Sequence, residues 1–437
     1  MSRQRTGPPA VVIGIGLTGL GMVRSLRDRR NPVSMSITAV DSDLQQATAY
    51  TRLCAKVHCP DVDGDGLVDC LIEHGRRSPE RPVLLLSQDL AVLTVARHHD
   101  ALSSYYRFLV PTSEVTELLM DKSRFGEYAD RHGFNVPRTV AINTADDVAT
   151  ARSALRFPCV LKPVYRNAAW SERGYPKGFV CANGTELEAA YNQACDAQDR
   201  FVAQEWIPGD DSEIYFCLAY FDEQSRPVAT FTGRKLRQWP LDAGNTSLAE
   251  ASAVPIIKKE TVRLFQSLGF CGMGSVEFKR DPRTGEFTIM EPTVGRANLQ
   301  SETATANGVN LAWIAYAHLA GLNAGARRRR PRRVVWVNEF TDLQSGILRV
   351  RRGELSLGDW VRSYRRSRHY AWFSWKDPLP AFVMGSRLAA KAITRGFDLM
   401  GRRDRQPSAV QPAVQDPSRP ESQPLVPPSV PELGPQR

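Results

Sequence analysis

Two lysines and two glutamates define the chemistry open to this chain. Lys162 closes an apolar run at residues 157–163, and Lys235 stands within Gly233-Arg234-Lys235-Leu236-Arg237. Cations held at strand ends over a cleft suit a polyphosphate, whose charge must be neutralised away from bulk water. Glu277 interrupts the apolar stretch Ser275-Val276-Glu277-Phe278-Lys279, and Glu291 does the same in Ile289-Met290-Glu291-Pro292-Thr293. If the two runs are antiparallel strands joined by the turn at 281–285, both carboxylates converge on one spot. Acids that close repel each other unless a cation lies between them, and Mg²⁺ accepts carboxylates together with phosphate oxygens. Each of these residues taken singly is by default a solvated surface group; the flanking Phe278, Ile289 and Met290 argue against that for the glutamates. Asp121-Lys122, just ahead of a helical pattern, adds another cation of the same kind.

The elements that must carry these residues fall into two regions. An apolar strand at 10–15 runs into Gly14, Gly16, Gly19 and Gly21, then a helix is expected at 22–28, a strand at 36–40 ending at Asp41, and a strand at 81–86. That order opens a doubly wound α/β domain, expected to close near residue 110. Gly14-x-Gly16-x-x-Gly19 with Asp41 has two readings: a dinucleotide fingerprint, or glycines that let the first helix pack tightly on its sheet. From 111 to 325 the pattern is α+β. Strands are expected at 157–163, 201–207, 213–220, 227–234, 272–279 and 286–291, helices at 123–132, 186–197, 258–268 and 311–320, and a polar loop at 166–178.

The chain has 437 residues and a formal net charge of +10. Residues 321–405 hold 20 Lys and Arg against 7 Asp and Glu, so the body before them is near-neutral and a uniformly basic nucleic-acid-coating protein is excluded. Residues 326–405 read as a basic extension, its arginines interleaved with Trp336, Trp360, Trp372 and Trp375 and followed by a basic amphipathic helix at 380–400. Three readings stay open for it: packing on the body, peripheral contact with anionic lipid at the inner membrane face, or contact with nucleic acid. Residues 406–437 are rich in Pro, Gln and Ser and are expected to be disordered. The eight cysteines include no CxxC pair, which points to a reducing, cytoplasmic setting. The longest apolar runs fall short of a membrane span.

Taken in order, these pieces resemble the ATP-grasp superfamily over residues 110–325, in particular its carboxylate–amine ligases and carbamoyl-phosphate-synthase-like members. Val160-Leu161-Lys162-Pro163 resembles the strand whose lysine reaches the ATP phosphates. Gln204-Glu205-Trp206-Ile207-Pro208-Gly209 resembles the hinge that holds adenine, and Glu213 suits a ribose hydroxyl. Gly233-Arg234-Lys235 resembles the second phosphate-binding strand, Glu277 and Glu291 the two metal-ligand acids, and Arg296 the arginine that stabilises the transferring phosphate. The family's Glu-x-Asn-x-Arg is Glu291-Pro292-Thr293-Val294-Gly295-Arg296 here, so Thr293 offers a hydroxyl to the metal and Arg296 is one residue late.

The resemblance implies a Rossmann-like pre-ATP-grasp domain (1–110), a two-lobed ATP-grasp domain (111–325, lobes dividing near 204), the basic extension and the tail. It implies ATP and Mg²⁺, with Mn²⁺ as a substitute, and a carboxylate joined to an amine through an acyl phosphate, the substrate being an amino acid or amino sugar. Lys122, Lys162, Lys177 and Lys235 would neutralise phosphates, with Lys177 on a loop at 166–178 that closes over them. Gln204, Glu205, Trp206, Ile207 and Glu213 would hold the nucleoside, Glu277, Glu291 and Thr293 the metal, and Arg296 and Lys235 would act in catalysis. A homodimer is a further expectation. The alternative is a non-catalytic ATP-binding module with a regulatory or structural role at the membrane surface.

Overall fold

The computed structural model describes residues 5–164, 167–176, 178–241, 244–322 and 333–403. They fall in two units, Met1–Gly385 and Ser386–Arg437. Apart from the last helix, which runs on past Gly385, everything below concerns the first.

The chain begins with a four-stranded parallel sheet built from β1 (Ala10–Ile13), β2 (Ile37–Asp41), β3 (Ala55–His58) and β4 (Val83–Leu86), in the order β3-β2-β1-β4. The runs AVVI and VLLL are buried at every residue, as strands covered on both faces must be. Helices α1 (Leu17–Leu26), α2 (Asp65–Arg77) and α3 (Asp89–Arg97) accompany them. Helix α1 starts five residues earlier than expected, because Gly19 and Gly21 are helical rather than turn residues. A Cβ on Gly19 would lie 1.9 Å from the Gly14 carbonyl oxygen, and Gly14 itself has φ +85°. The Asp41 carboxylate accepts backbone hydrogen bonds from Ile15 (2.6 Å) and Asp43 (2.9 Å). Close helix–strand packing accounts for the glycine motif, and Asp41 is committed to the loop's own backbone.

Helices α4 (Ser113–Met120) and α5 (Lys122–Arg131) lead into a small antiparallel sheet of β5 (Thr139–Ile142), β6 (Cys159–Pro163), β7 (Phe179–Cys181) and β8 (Phe201–Glu205), ordered β5-β8-β6-β7. Helices α6 (Ala145–Ala154) and α8 (Gly184–Ala194) pack on it, and between them the expected polar loop contains a short helix, α7 (Ala168–Glu172). Trp170 of α7 is 1% exposed and makes ring contacts with Tyr175, Phe179 and Phe201, so this segment is anchored in the small core.

The large sheet comprises β9 (Ile214–Phe221), β10 (Pro227–Trp239), β11 (Asn245–Ala251), β12 (Gly272–Arg280), β13 (Phe287–Val294), β14 (Val335–Val337) and β15 (Arg368–Tyr370), ordered β13-β12-β9-β10-β11-β14-β15. Helices α9 (Pro255–Ser267), α10 (Ser301–Ala306), α11 (Leu311–Leu319), α12 (Glu339–Arg351), α13 (Leu357–Ser363) and α14 (Leu379–Arg403) complete the described chain.

The segment after residue 333 corrects the picture of an appended extension. Strand β14 pairs with β11, and Trp336 is fully buried. Arg237 of β10 forks onto Asp342 of α12 with two bonds of 2.8 Å, the side chains being 6% and 0% exposed. Arg24 of α1 donates to the carbonyls of Ala371 and Trp372, both at 2.7 Å. Of the three readings, packing on the body describes these residues. Arg327–Arg330, Arg332 and the Pro-rich tail lie outside the described residues.

Candidate functional site

Met290 aims the two acids. On the turn side of the β12–β13 pair, Phe278 opposes Ile289 and Lys279 opposes Thr288; beyond it, Glu277 opposes Glu291 and Val276 opposes Pro292. The pairing steps over Met290, which is a β-bulge. Without the bulge, with Met290 kept in register, Met290 would face Glu277 and Glu291 would turn to the other side of the sheet. With it, the two glutamates are direct cross-strand neighbours, their Cβ atoms about 5 Å apart.

Each glutamate meets a lysine. Lys235 Nζ lies 2.8 Å from Glu277 Oε2 and Lys122 Nζ 3.6 Å from Glu291 Oε1. Lys235 sits inside β10, which continues to Trp239 rather than ending at 234, and its side chain is only 6% exposed. Lys122 is fixed at the first turn of α5 because the Asp121 side chain caps that helix, accepting from the Ser123 and Arg124 amides.

Lys162, on β6, donates to Gln204 Oε1 at 2.7 Å, and Gln204 Nε2 in turn donates to Thr139 Oγ1 at 2.9 Å. Burial pushes the Lys162 ammonium down to about 8, helped by the charge of Lys122 and opposed by Glu291. The site therefore keeps a cation that readily gives up its proton.

Arg296 follows a turn at Gly295 (φ +65°). Its Nε and Nη2 reach Asp89 Oδ1 and Oδ2 at 2.5 and 2.8 Å, and its Nη1 donates to the Ala297 carbonyl at 2.9 Å. The Ala297 amide donates to Leu86 O at 3.1 Å, which ties the loop after β13 to the end of β4. Thr293 opposes Ser275, and Asn298 Nδ2 spans both, 3.2 Å from Thr293 Oγ1 and 3.0 Å from Ser275 Oγ.

These groups surround one cavity of about 820 Å³, lined by Lys122, Lys162, Gln204, Lys235, Glu277, Glu291, Thr293 and Arg296 among others. Glu205, Trp206, Ile207 and Glu213 do not line it. Glu205 Oε1 accepts from the Arg156 amide at 3.0 Å, the Trp206 amide donates to Pro158 O at 3.1 Å, and Glu213 pairs with Arg280 at 3.3 Å. Lys177 lies outside the described residues. The segment after β8 is further secured by Lys279, unremarked in the sequence: it is 7% exposed and donates to the carbonyls of Gly209 (2.5 Å) and Asp210 (3.0 Å). Asp89, Asn298, Asn338 and Thr341 also line the cavity. The last two come from the segment read as an appendage, where no local pattern marks them.

The donor set fits Mg²⁺. Among the described residues no group of three or more His, Cys, Asp or Glu is arranged to hold a metal by itself. Two carboxylates facing one another, with lysines on either side, instead suit a hard cation whose remaining ligands are phosphate oxygens and water.

No protein-family model matches the chain. In sequence it is 22% identical over 316 residues to D-aspartate ligase of Enterococcus faecium, covering 69% of this chain and 74% of that protein. Among solved structures it is similar to N5-carboxyaminoimidazole ribonucleotide synthetase in its ADP complex, with a TM-score of 0.59, 13% identity and coverage of 80% of this chain and 87% of that one. It is also similar to the biotin carboxylase domain dimer of Hydrogenobacter thermophilus 2-oxoglutarate carboxylase, bound to MgADP and bicarbonate. There the TM-score is 0.56, the identity 14% and the coverage 74% and 72%.

Proposed function

We propose that this chain, an ATP-grasp protein, is an ATP-dependent ligase that joins a carboxylate to an amine, with an amino acid or amino sugar among its substrates. The observation that carries the reading is the bulge-set pair Glu277 and Glu291, each matched by a lysine, at the wall of a cavity that also holds Lys162 and Arg296. When bound between the two glutamates, Mg²⁺ would screen the charge of the ATP phosphates. Lys122, Lys162 and Lys235 would neutralise phosphate oxygens, and Lys122 and Lys235 are already held by the acids that would take the metal. Arg296 would stabilise the phosphoryl group in transfer, and the cavity would keep water from the acyl phosphate. Measuring ADP release against a panel of carboxylates and amines tests the reading: release that depends on both partners is expected, and ATP binding with no turnover for any pair overturns it in favour of the binding module.

One observation favours a peripheral membrane contact as a second property. Trp375 is 91% exposed and Phe382 67%, at and before the start of the basic α14. No helix among the described residues is long and apolar enough to cross a membrane. Flotation with anionic liposomes, compared for wild type and Trp375→Ala/Phe382→Ala, tests it; equal failure to float removes the contact. The relative described as a biotin carboxylase domain dimer motivates a homodimer here, read by light scattering. All eight cysteines are free, in keeping with a reducing cytoplasmic setting.

A further inference from the structure

We infer that the turn at residues 338–341, together with Gln300, selects the amine substrate through an uncharged polar group, a carboxamide or a hydroxyl, and discriminates against a carboxylate at that position. The inference rests on the ligase reading above and names the substrate class of the same cavity.

The wall is built on β11. The Asn338 amide donates to Ser247 O at 2.8 Å, and Gln300 Nε2 donates to Thr246 Oγ1 at 2.7 Å, so both residues are attached to consecutive positions of one strand. Asn338, Gln300 and Thr246 are 6%, 5% and 2% exposed, yet all three line the cavity, as does Thr341. Asn338 Oδ1 is taken by Trp372 Nε1 at 3.1 Å, which leaves its Nδ2 amide as the donor. In Gln300 the roles are reversed: Nε2 is committed, and the buried Oε1 has no hydrogen-bond partner among the described residues. A buried acceptor without a partner is costly, and an N–H or O–H of a bound molecule would satisfy it.

The wall is also rigid and uncharged. The Glu339 carboxylate accepts from the amides of Trp372 (3.1 Å) and Phe373 (2.6 Å), and Asp342 is held by Arg237 and by Ser247 Oγ (3.0 Å). Those charges are spent on each other and on backbone. The cavity's lysines and Arg296 each have their own partners around Glu277, Glu291, Gln204 and Asp89. A substrate carboxylate against Gln300 and Asn338 would thus be buried with no cation facing it, which neutral amides cannot offset. One amide N–H and one amide C=O, held in place beforehand, match a group that both accepts and donates.

The test is ADP release by the full chain with matched pairs offered as the amine substrate: asparagine against aspartate, glutamine against glutamate, in both configurations, with glucosamine as the hydroxyl-bearing arm. At least a tenfold preference in kcat/KM for an uncharged member is expected. Asn338→Ala should raise that substrate's KM about tenfold while KM for ATP stays within twofold, and Gln300→Glu provides a second variant if the first folds poorly. Preference for the acidic members overturns the inference, as does an unchanged amine KM in both variants. Lack of response to every uncharged amine also overturns it. Calorimetric titration with MgATP, run alongside, reports separately whether the nucleotide site itself stands.

Discussion

The Asp89 carboxylate and the Arg296 guanidinium form a two-bond fork across the boundary between the parallel sheet and the loop that follows the second acid. Asp89 opens α3 just beyond the carboxyl end of β4, where ligands of such sheets gather. A guanidinium gripped in this way has one orientation, which a lone surface arginine lacks. Asp89→Asn should lower kcat about 10- to 100-fold and leave the Kd for ATP within twofold, as positioning rather than binding is lost. A matched fall in ATP affinity in fluorescence titrations would contradict this.

Glu291→Ala and Glu277→Ala should each reduce ATP turnover at least about 100-fold with an unchanged circular dichroism spectrum. The bulge makes a sharper demand. Deleting Met290 removes the bulge yet leaves Ile289 opposite Phe278 and Glu291 opposite Glu277 in regular pairing, so the deletion variant should retain turnover, and Met290→Leu should be close to wild type. Loss of turnover in the deletion variant as complete as in Glu291→Ala would contradict this.

Lys162 predicts a pH dependence. Burial pushes its ammonium down to about 8, and a bound ATP phosphate would stabilise the charged form. Below pH 8 the cation is already present. Above it, binding must first recruit a proton, so the Kd for ATP should rise up to about tenfold per pH unit between 8 and 10, with proton uptake visible by calorimetry in buffers of different ionisation enthalpy. Lys162→Met should bind more weakly and show a flat profile over that range.

The Arg237–Asp342 pair is buried at both ends and joined by Ser247 and Tyr364. Removing one partner leaves the other charge stranded in the interior. Asp342→Ala should therefore cost about 3–5 kcal/mol, read as a lower urea midpoint. A change of under about 1 kcal/mol would mean that water reaches Arg237.

Much of this was legible in the residues. Glu277, Glu291, Lys162 and Lys235 drew notice because charge in or at the end of an apolar strand is costly and has to serve something, whereas Lys122 and Arg296 stood out only through the order of the family's motifs. What was hidden has a physical reason in each case. Register is a property of two strands, so the step over Met290 cannot be read from either alone. β3 (Ala55–His58) carries no run of apolar residues because it is short and takes its order from β2, and Asn338 and Thr341 sit at the cap and first turn of α12, where no apolar period marks them. Trp170 was read as part of a polar loop because a single aromatic does not set a period, although it is the centre of the small core. The arginines of the C-terminal segment left packing on the body, anionic lipid and nucleic acid all open. Several instead close on acids of the body, as Arg349 does on Asp211 and Arg366 on Glu250.

The place of β14 in the large sheet has a consequence for biosynthesis. A nascent chain leaves the ribosome with its N-terminal parts first. Lys122, Lys162, Lys235, Glu277, Glu291 and Arg296 are all made before Val335–Val337, but until that strand is added β11 has a bare edge and the cavity lacks Asn338 and Thr341. A transcript truncated after codon 325 would thus encode every charged group that lines the cavity without the wall that closes it. The open edge of the unfinished molecule is where another chain could pair or a protease could act.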